Sequence, residues 1–251
     1  MSISASSYLT EVLRRAAEVG DRNRRQIAAA AGLLAGCVRA GGVIQAFGTG
    51  HSQSTALEVA GRAGGLVPTN RISLADLVLF GGDDPSALAD PLLERDPATA
   101  ARLYRLAAPQ PADVFVIASN SGVNGSVVEM ARLAAAERHP VVAITSLAHG
   151  WRAEPAHGGG RRLAEVADVV LDNGAPYGDV LLTEPDGTAA CAVSSITSAL
   201  LVQLVTAEAV RLLRQAGERP PLYVSANTPG GYERNRRLEE RYAGRIRRMA
   251  G

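Results

Sequence analysis

Val43-Ile44-Gln45-Ala46-Phe47-Gly48-Thr49-Gly50-His51-Ser52 carries a short apolar run into a Gly-rich turn that ends in a serine. Residues 53–62 then read as a helix, which Gly64-Gly65 stops. A strand that passes through Gly-Thr-Gly into a helix start builds an anion site. The glycines let the backbone approach a ligand closely. The helix start supplies free N–H groups and the positive end of its dipole. The turn is not a Walker loop, because no Gly-Lys-Ser/Thr is present. It is not a dinucleotide fingerprint either, because Gln53 stands where the third glycine belongs.

Outward from this turn, strands and helices alternate. Upstream, residues 6–40 have helical spacing through Leu13, Ala16, Ala17, Ile27, Ala31, Leu34 and Val38, with a break expected near Gly20-Asp21. Downstream, residues 66–74 read as a short strand and loop, 90–96 as irregular, and 97–107 as a helix with Pro97 in its first turn. Residues 113–118 form a second buried strand, and residues 140–146 a third. A polar loop with His149, Trp151 and His157 leads to a fourth, 166–171. Residues 181–186 suit a short extra strand. The long apolar helix 194–215 must be buried or lie at a subunit interface. An Arg-rich stretch, 233–249, reads as a charged, solvated or interface helix. Alternation of this kind predicts a parallel, doubly wound sheet, with ligands at the carboxyl ends of its strands.

Composition narrows the function. With 47% apolar but only 4% aromatic residues, Ala, Val and Leu must fill the core. A net charge of +1 argues against a nucleic-acid-binding face. All 26 basic residues are Arg, so no lysine is present for Schiff-base chemistry. Cys37 and Cys191 are isolated, and no cysteine spacing supports a structural zinc site. His51, His149, His157 and Glu58 show no zinc spacing signature either, so no metal is expected. The first ten residues lack a signal-peptide pattern, and no run approaches the roughly 18 apolar residues of a membrane span. A cytoplasmic protein with no membrane partner is expected.

A second polar turn, Ser119-Asn120-Ser121-Gly122-Val123-Asn124, follows the second strand. Ser126 alone would cap the next helix, so the additional hydroxyls and amides exceed what capping needs. Thr145-Ser146 ends the third strand. Together these turns resemble the SIS (sugar isomerase) domain family, in which a Gly-rich turn ending in Ser and a Ser-x-Ser-Gly turn grip a phosphosugar. Arg62-Ala63-Gly64-Gly65-Leu66, residues 165–173, Pro176-x-Gly178-Asp179, Ser225-Ala226-Asn227 and Asn235-Arg236-Arg237-Leu238 extend the resemblance over nearly the whole chain. Its nearest match is a bacterial group of phosphosugar-binding SIS proteins. Phosphoheptose isomerase and N-acetylmuramic acid 6-phosphate etherase are more distant.

The resemblance implies a three-layer α/β/α sandwich with a five-stranded parallel sheet and a long N-terminal helix. Residues 1–42 would form a helical arm on the core or on a partner subunit, and residues 43–251 the SIS domain with its C-terminal helices. It implies a homodimer or homotetramer, a phosphorylated sugar or amino sugar as ligand, and no cofactor. Gly48, Thr49, Gly50, Ser52, Ser119, Asn120, Ser121, Gly122, Asn124, Thr145, Ser146 and Asp179 become the candidate phosphosugar contacts. Where the distant relatives carry a catalytic acid on the first helix, this chain has Arg62, and Glu58 is the only acid on that helix. Glu58 is a candidate base, and equally the partner of Arg62 in an i,i+4 pair. His51 in the turn and His157 in the mobile loop are candidate proton carriers, with His149 as the alternative to His157. The expected chemistry is aldose–ketose isomerisation through an enediolate. A non-catalytic phosphosugar sensor and an etherase-type β-elimination are the alternatives.

Overall fold

A computed structural model describes residues 2–248. In chain order its elements are α1 (Ala5–Arg22), α2 (Arg24–Arg39), β1 (Ile44–Gly48), α3 (Gln53–Val59), β2 (Thr69–Ile72) and α4 (Asp76–Leu79). There follow α5 (Pro97–Ala107), β3 (Val114–Ala118), α6 (Gly125–Ala136), β4 (Val141–Thr145), α7 (Leu147–Gly150) and β5 (Val169–Asp172). Finally come β6 (Leu182–Thr183), β7 (Ala189–Ala190), α8 (Ser194–Gln215) and α9 (Gly231–Glu239).

Five strands form one sheet in the order β2-β1-β3-β4-β5, and every pairing in it is parallel. Alternate strand residues serve opposite faces, as the two-residue period requires. Ile44, Val114, Val116, Val142 and Ile144 pack with residues of α2, α3 and α8. Phe47, Phe115, Ile117, Val141 and Ala143 face residues of α5 and α6, with Leu77 of α4 and Leu163. Burial on both faces explains why these strands are continuous apolar runs rather than alternating ones. The result is the expected three-layer sandwich. The small antiparallel pair β6-β7 stands apart from the sheet.

The N-terminal helical stretch is two helices, and the break falls at Asn23 rather than at Gly20-Asp21. Asn23 is buried, and its amide nitrogen donates to the carbonyls of Val19 and Asp172 at 2.8 and 2.9 Å. Its side-chain oxygen accepts from the Asp172 N–H at 2.9 Å. One side chain thus closes the helix break and ties it to the end of β5. Ala30, Ala31, Leu34, Ala35 and Val38 of α2 belong to the main core. Helix α8 has the length and hydropathy of a membrane span, yet it packs along α2 and α3 as a core helix.

The charged helix expected over residues 233–249 ends early. Helix α9 stops at Glu239, a 3₁₀ turn follows, and the chain then runs non-helically back to the sheet; Met249 lies outside the described residues. Three of its arginines are pinned there rather than solvated. Arg245 pairs with the fully buried Asp113 at 2.5 Å, and Asp113 also accepts from the Val43 N–H and the Gln45 amide. The Arg247 N–H donates to Asn70, and Arg248 donates to the Val67 carbonyl.

Candidate functional site

The loops leaving β1, β3 and β4 meet at the carboxyl ends of the strands and enclose an open cavity of about 470 Å³. Thr49, Gly50, His51 and Ser52 of the first turn line it, with Ser119, Asn120, Ser121 and Asn124 of the second. Each turn runs into a helix start. The N–H groups of Gly50, His51, Asn120 and Ser121 find no acceptor among the described residues. The start of α8 adds Ser194 and Ser195. Among the described residues no arginine lines the cavity. A bound anion would therefore be met by hydroxyls, amides and backbone N–H groups, with helix dipoles supplying the positive field.

The second turn is braced from below. Ser119 Oγ accepts from the Gly122 N–H at 3.1 Å. Asn173 Nδ2 donates to Asn120 Oδ1 at 3.1 Å and to Ser198 Oγ at 3.2 Å. Gly122 has φ +65°, and a Cβ there would stand 2.9 Å from Thr145 Oγ1. Gly122, Thr145 and Ser146 are thus supports of the turn and do not line the cavity. Thr145 is buried and donates to the Asn120 carbonyl, while Ser146 is buried and donates to the Ala175 carbonyl at 2.6 Å. Gly48 likewise serves the fold: a Cβ there would lie 2.5 Å from the Ser52 carbonyl oxygen, so the tight turn itself requires glycine.

Two of the three candidate catalytic groups lie elsewhere. Glu58 on α3 does not line the cavity; it pairs with Arg62 and accepts from Gln203 of α8. The i,i+4 reading of Glu58 is the one realised. His157 also lies outside the cavity, and its Nε2 meets Glu129 Oε2 on α6 at 3.0 Å. Arg132, on the next turn of α6, holds the Glu129 carboxyl below its ordinary range, with His157 assisting. His51 does line the cavity, and its ring makes no hydrogen bond among the described residues.

His149 takes the place given to His157. It belongs to the short helix α7, whose start Ser146 caps by accepting from the His149 N–H at 3.0 Å. His149 Nδ1 accepts from the Gly178 N–H at 3.3 Å. That contact requires a lone pair on Nδ1, so the neutral ring carries its proton on Nε2. Tyr177 packs against the ring at 5.0 Å.

Sequence reasoning missed Glu94, which lines the cavity from the irregular segment before α5. Its carboxylate spans the two turns. Oε1 accepts from Asn124 Nδ2 at 3.3 Å, and a Cβ on Gly50 would lie 3.3 Å from Oε2. The Glu94 carbonyl accepts from the N–H and hydroxyl of Ser126 at the start of α6. A Cβ on Gly125 would lie only 2.0 Å from the Arg95 carbonyl oxygen, so glycine permits this approach. The only other acid lining the cavity among the described residues, Asp179, is spent on structure. It holds φ +59°, and its carboxylate accepts from the Val193 and Ser194 N–H groups and the Ser194 hydroxyl, capping α8.

The SIS domain matches residues 7–146, and the chain belongs to that family. A UPF0309 protein of Listeria monocytogenes is 38% identical over 219 residues, covering 86% of this chain and 88% of its own. A UPF0309 protein of Streptomyces coelicolor is 37% identical over 243 residues, covering 96% of each chain. Among solved structures, phosphoheptose isomerase from Neisseria gonorrhoeae superposes with a TM-score of 0.56 at 20% identity, over 82% of this chain and 96% of that one. The Francisella tularensis phosphoheptose isomerase gives 0.53 at 15% identity, over the same shares. At these identities the likeness is one of fold.

Proposed function

We propose that the chain binds a phosphorylated sugar or amino sugar in this cavity and interconverts its aldose and ketose forms. The observation that carries the proposal is Glu94, a carboxylate held between two anion-accepting turns. The phosphate sits against the first and second turns, where N–H groups and hydroxyls converge. Glu94 removes the proton from the carbon next to the carbonyl, and the same carboxylic acid returns it to the neighbouring carbon. His149 donates from Nε2 to the oxygen that becomes negative in the enediolate. His51 moves the hydroxyl proton between the two oxygens during the exchange. The proton count is unchanged overall, so the reaction needs no external oxidant or base.

A homo-oligomer fits the surface. Leu9 and Leu13 stand one turn apart on α1 and are 58% and 61% exposed, and Ile196 is exposed near the start of α8 beside the cavity. Light scattering after size exclusion gives the stoichiometry; a monomer at micromolar concentration would overturn this part.

Sugar phosphates incubated with the protein in deuterated water test the chemistry. Deuterium entering C1 or C2, read by proton NMR, is the expected result. Tight binding of a sugar phosphate with neither exchange nor conversion would assign the cavity to sensing instead. Release of an ether substituent would assign it to elimination.

A further inference from the structure

We propose that a second groove, remote from the phosphosugar cavity, binds a small ligand bearing several clustered phosphates. Arg219, Arg234, Arg237 and Arg241 line an open groove of about 580 Å³, and among the described residues no acid lines it. It shares no residue with the first cavity. The start of α8 faces that cavity, whereas Arg219 follows the far end of the same helix. A helix of this length spans roughly 33 Å.

The arrangement differs from an ordinary solvated arginine run. Arg234 and Arg237 stand at i and i+3 on α9, and Arg241 follows in the 3₁₀ turn after it, so the three line one groove together. The neighbouring stripe is self-neutralised: Arg236 pairs with Glu233 at 3.5 Å and with Glu240 at 3.6 Å. The three groove arginines and Arg219 have no carboxylate partner among the described residues. Like charges on one helical face repel, and a shared anion relieves that repulsion.

The two walls are fixed relative to each other. Asn235 of α9 accepts from the Val224 N–H at 3.1 Å and donates to the Val224 carbonyl at 2.8 Å. On the other wall, the Pro221 carbonyl accepts from the Val67 N–H at 2.8 Å. The guanidinium groups are therefore presented from a rigid frame, and their planar forks suit phosphate oxygens. The volume lies in the range of small-molecule sites. Among the described residues no aromatic side chain lines the groove, so these offer no stacking platform for the bases of a nucleic-acid strand.

Isothermal titration with inorganic tripolyphosphate at fixed ionic strength tests the site, with inorganic phosphate as the reference. The expected result is one saturable site per chain for tripolyphosphate, weaker as salt rises, and much weaker binding of phosphate. The Arg234→Gln/Arg237→Gln double variant is expected to weaken tripolyphosphate at least about tenfold. Arg24→Gln, in an exposed pair with Asp21 at the start of α2 and outside the groove, leaves it unchanged. Absence of saturation below about 1 mM, or undiminished binding by the double variant, overturns the proposal. So does tighter binding of an acidic peptide or an RNA oligomer at the same arginines.

Discussion

Glu94→Gln isolates the charge of one carboxylate from its shape. The glutamine oxygen can still accept from Asn124 Nδ2, now 3.3 Å from Oε1, and the backbone link to Ser126 is untouched. Fold and ligand binding are therefore expected to persist. Proton abstraction is not, because an amide is no base. A positioned general base contributes roughly 10²–10⁴ in rate, which is about 3–5 kcal/mol of barrier. Deuterium incorporation at C2 of a turned-over sugar phosphate reads that loss directly. Glu58→Gln is the matched comparison on the first helix. It breaks a partly exposed i,i+4 pair worth roughly 0.3–0.5 kcal/mol of stability, and exchange is expected to stay within about twofold of the parent. Retention of more than about a tenth of the exchange rate by Glu94→Gln would refute the reasoning. A hundredfold loss in Glu58→Gln would do so as well.

Gly125→Ala drives a Cβ into the Arg95 carbonyl, which stands 2.0 Å away; overpacking of this kind costs roughly 1–3 kcal/mol, and the displaced Glu94 segment should lower exchange beyond the stability effect, as kinetics at a temperature well below the melting point would show. Asn23→Ala removes three hydrogen bonds of a buried side chain at about 1 kcal/mol each, so the melting temperature followed by circular dichroism should fall by roughly 6–12 °C. Burial pushes the Cys37 thiol up to about 12, whereas Cys191 is exposed; Ellman's reagent should count one thiol per native chain and two after denaturation, and two rapid native thiols would contradict the packing. Glu129 is held below its ordinary value of 4.5. Its pairing stabilises the fold above that value and is lost as pH falls through the lower folded value, so Glu129→Gln should flatten the acid limb of a urea-stability profile.

The sheet was legible because its strands are short apolar runs bounded by glycine and polar turns, and both site turns carry their own residue signature. What lay beyond local reading was the third dimension of the site. Glu58 and Arg62 declare an i,i+4 pair as readily as a catalytic base, and only Gln203 reaching across from α8 shows which is formed. Glu94 has no periodicity and no motif around it; it arrives at the cavity because Ser126, 32 residues further along, donates to its carbonyl, and Gly125 leaves room for the carbonyl of the adjoining Arg95. His149 and His157 share one polar stretch, and a single cap by Ser146 sends the first to the cavity, while Glu129 draws the second away. The tail misled for a related reason: an Arg-rich sequence looks solvated until buried acceptors such as Asp113 and the Val67 carbonyl are known.

Asp113 also bears on how the chain is made. Its carboxylate joins the first and third strands at their amino ends, deep in the part of the fold that is synthesised early, while the cation that neutralises it is Arg245. A nascent chain that has emerged only through α8 holds that carboxylate on its N–H donors alone, without the guanidinium that pairs with it in the finished fold. The sheet therefore reaches its full stability only once Arg245 has left the ribosome. Products of premature termination short of that residue would carry an internal mark of incompleteness, open to the proteases that clear half-made proteins.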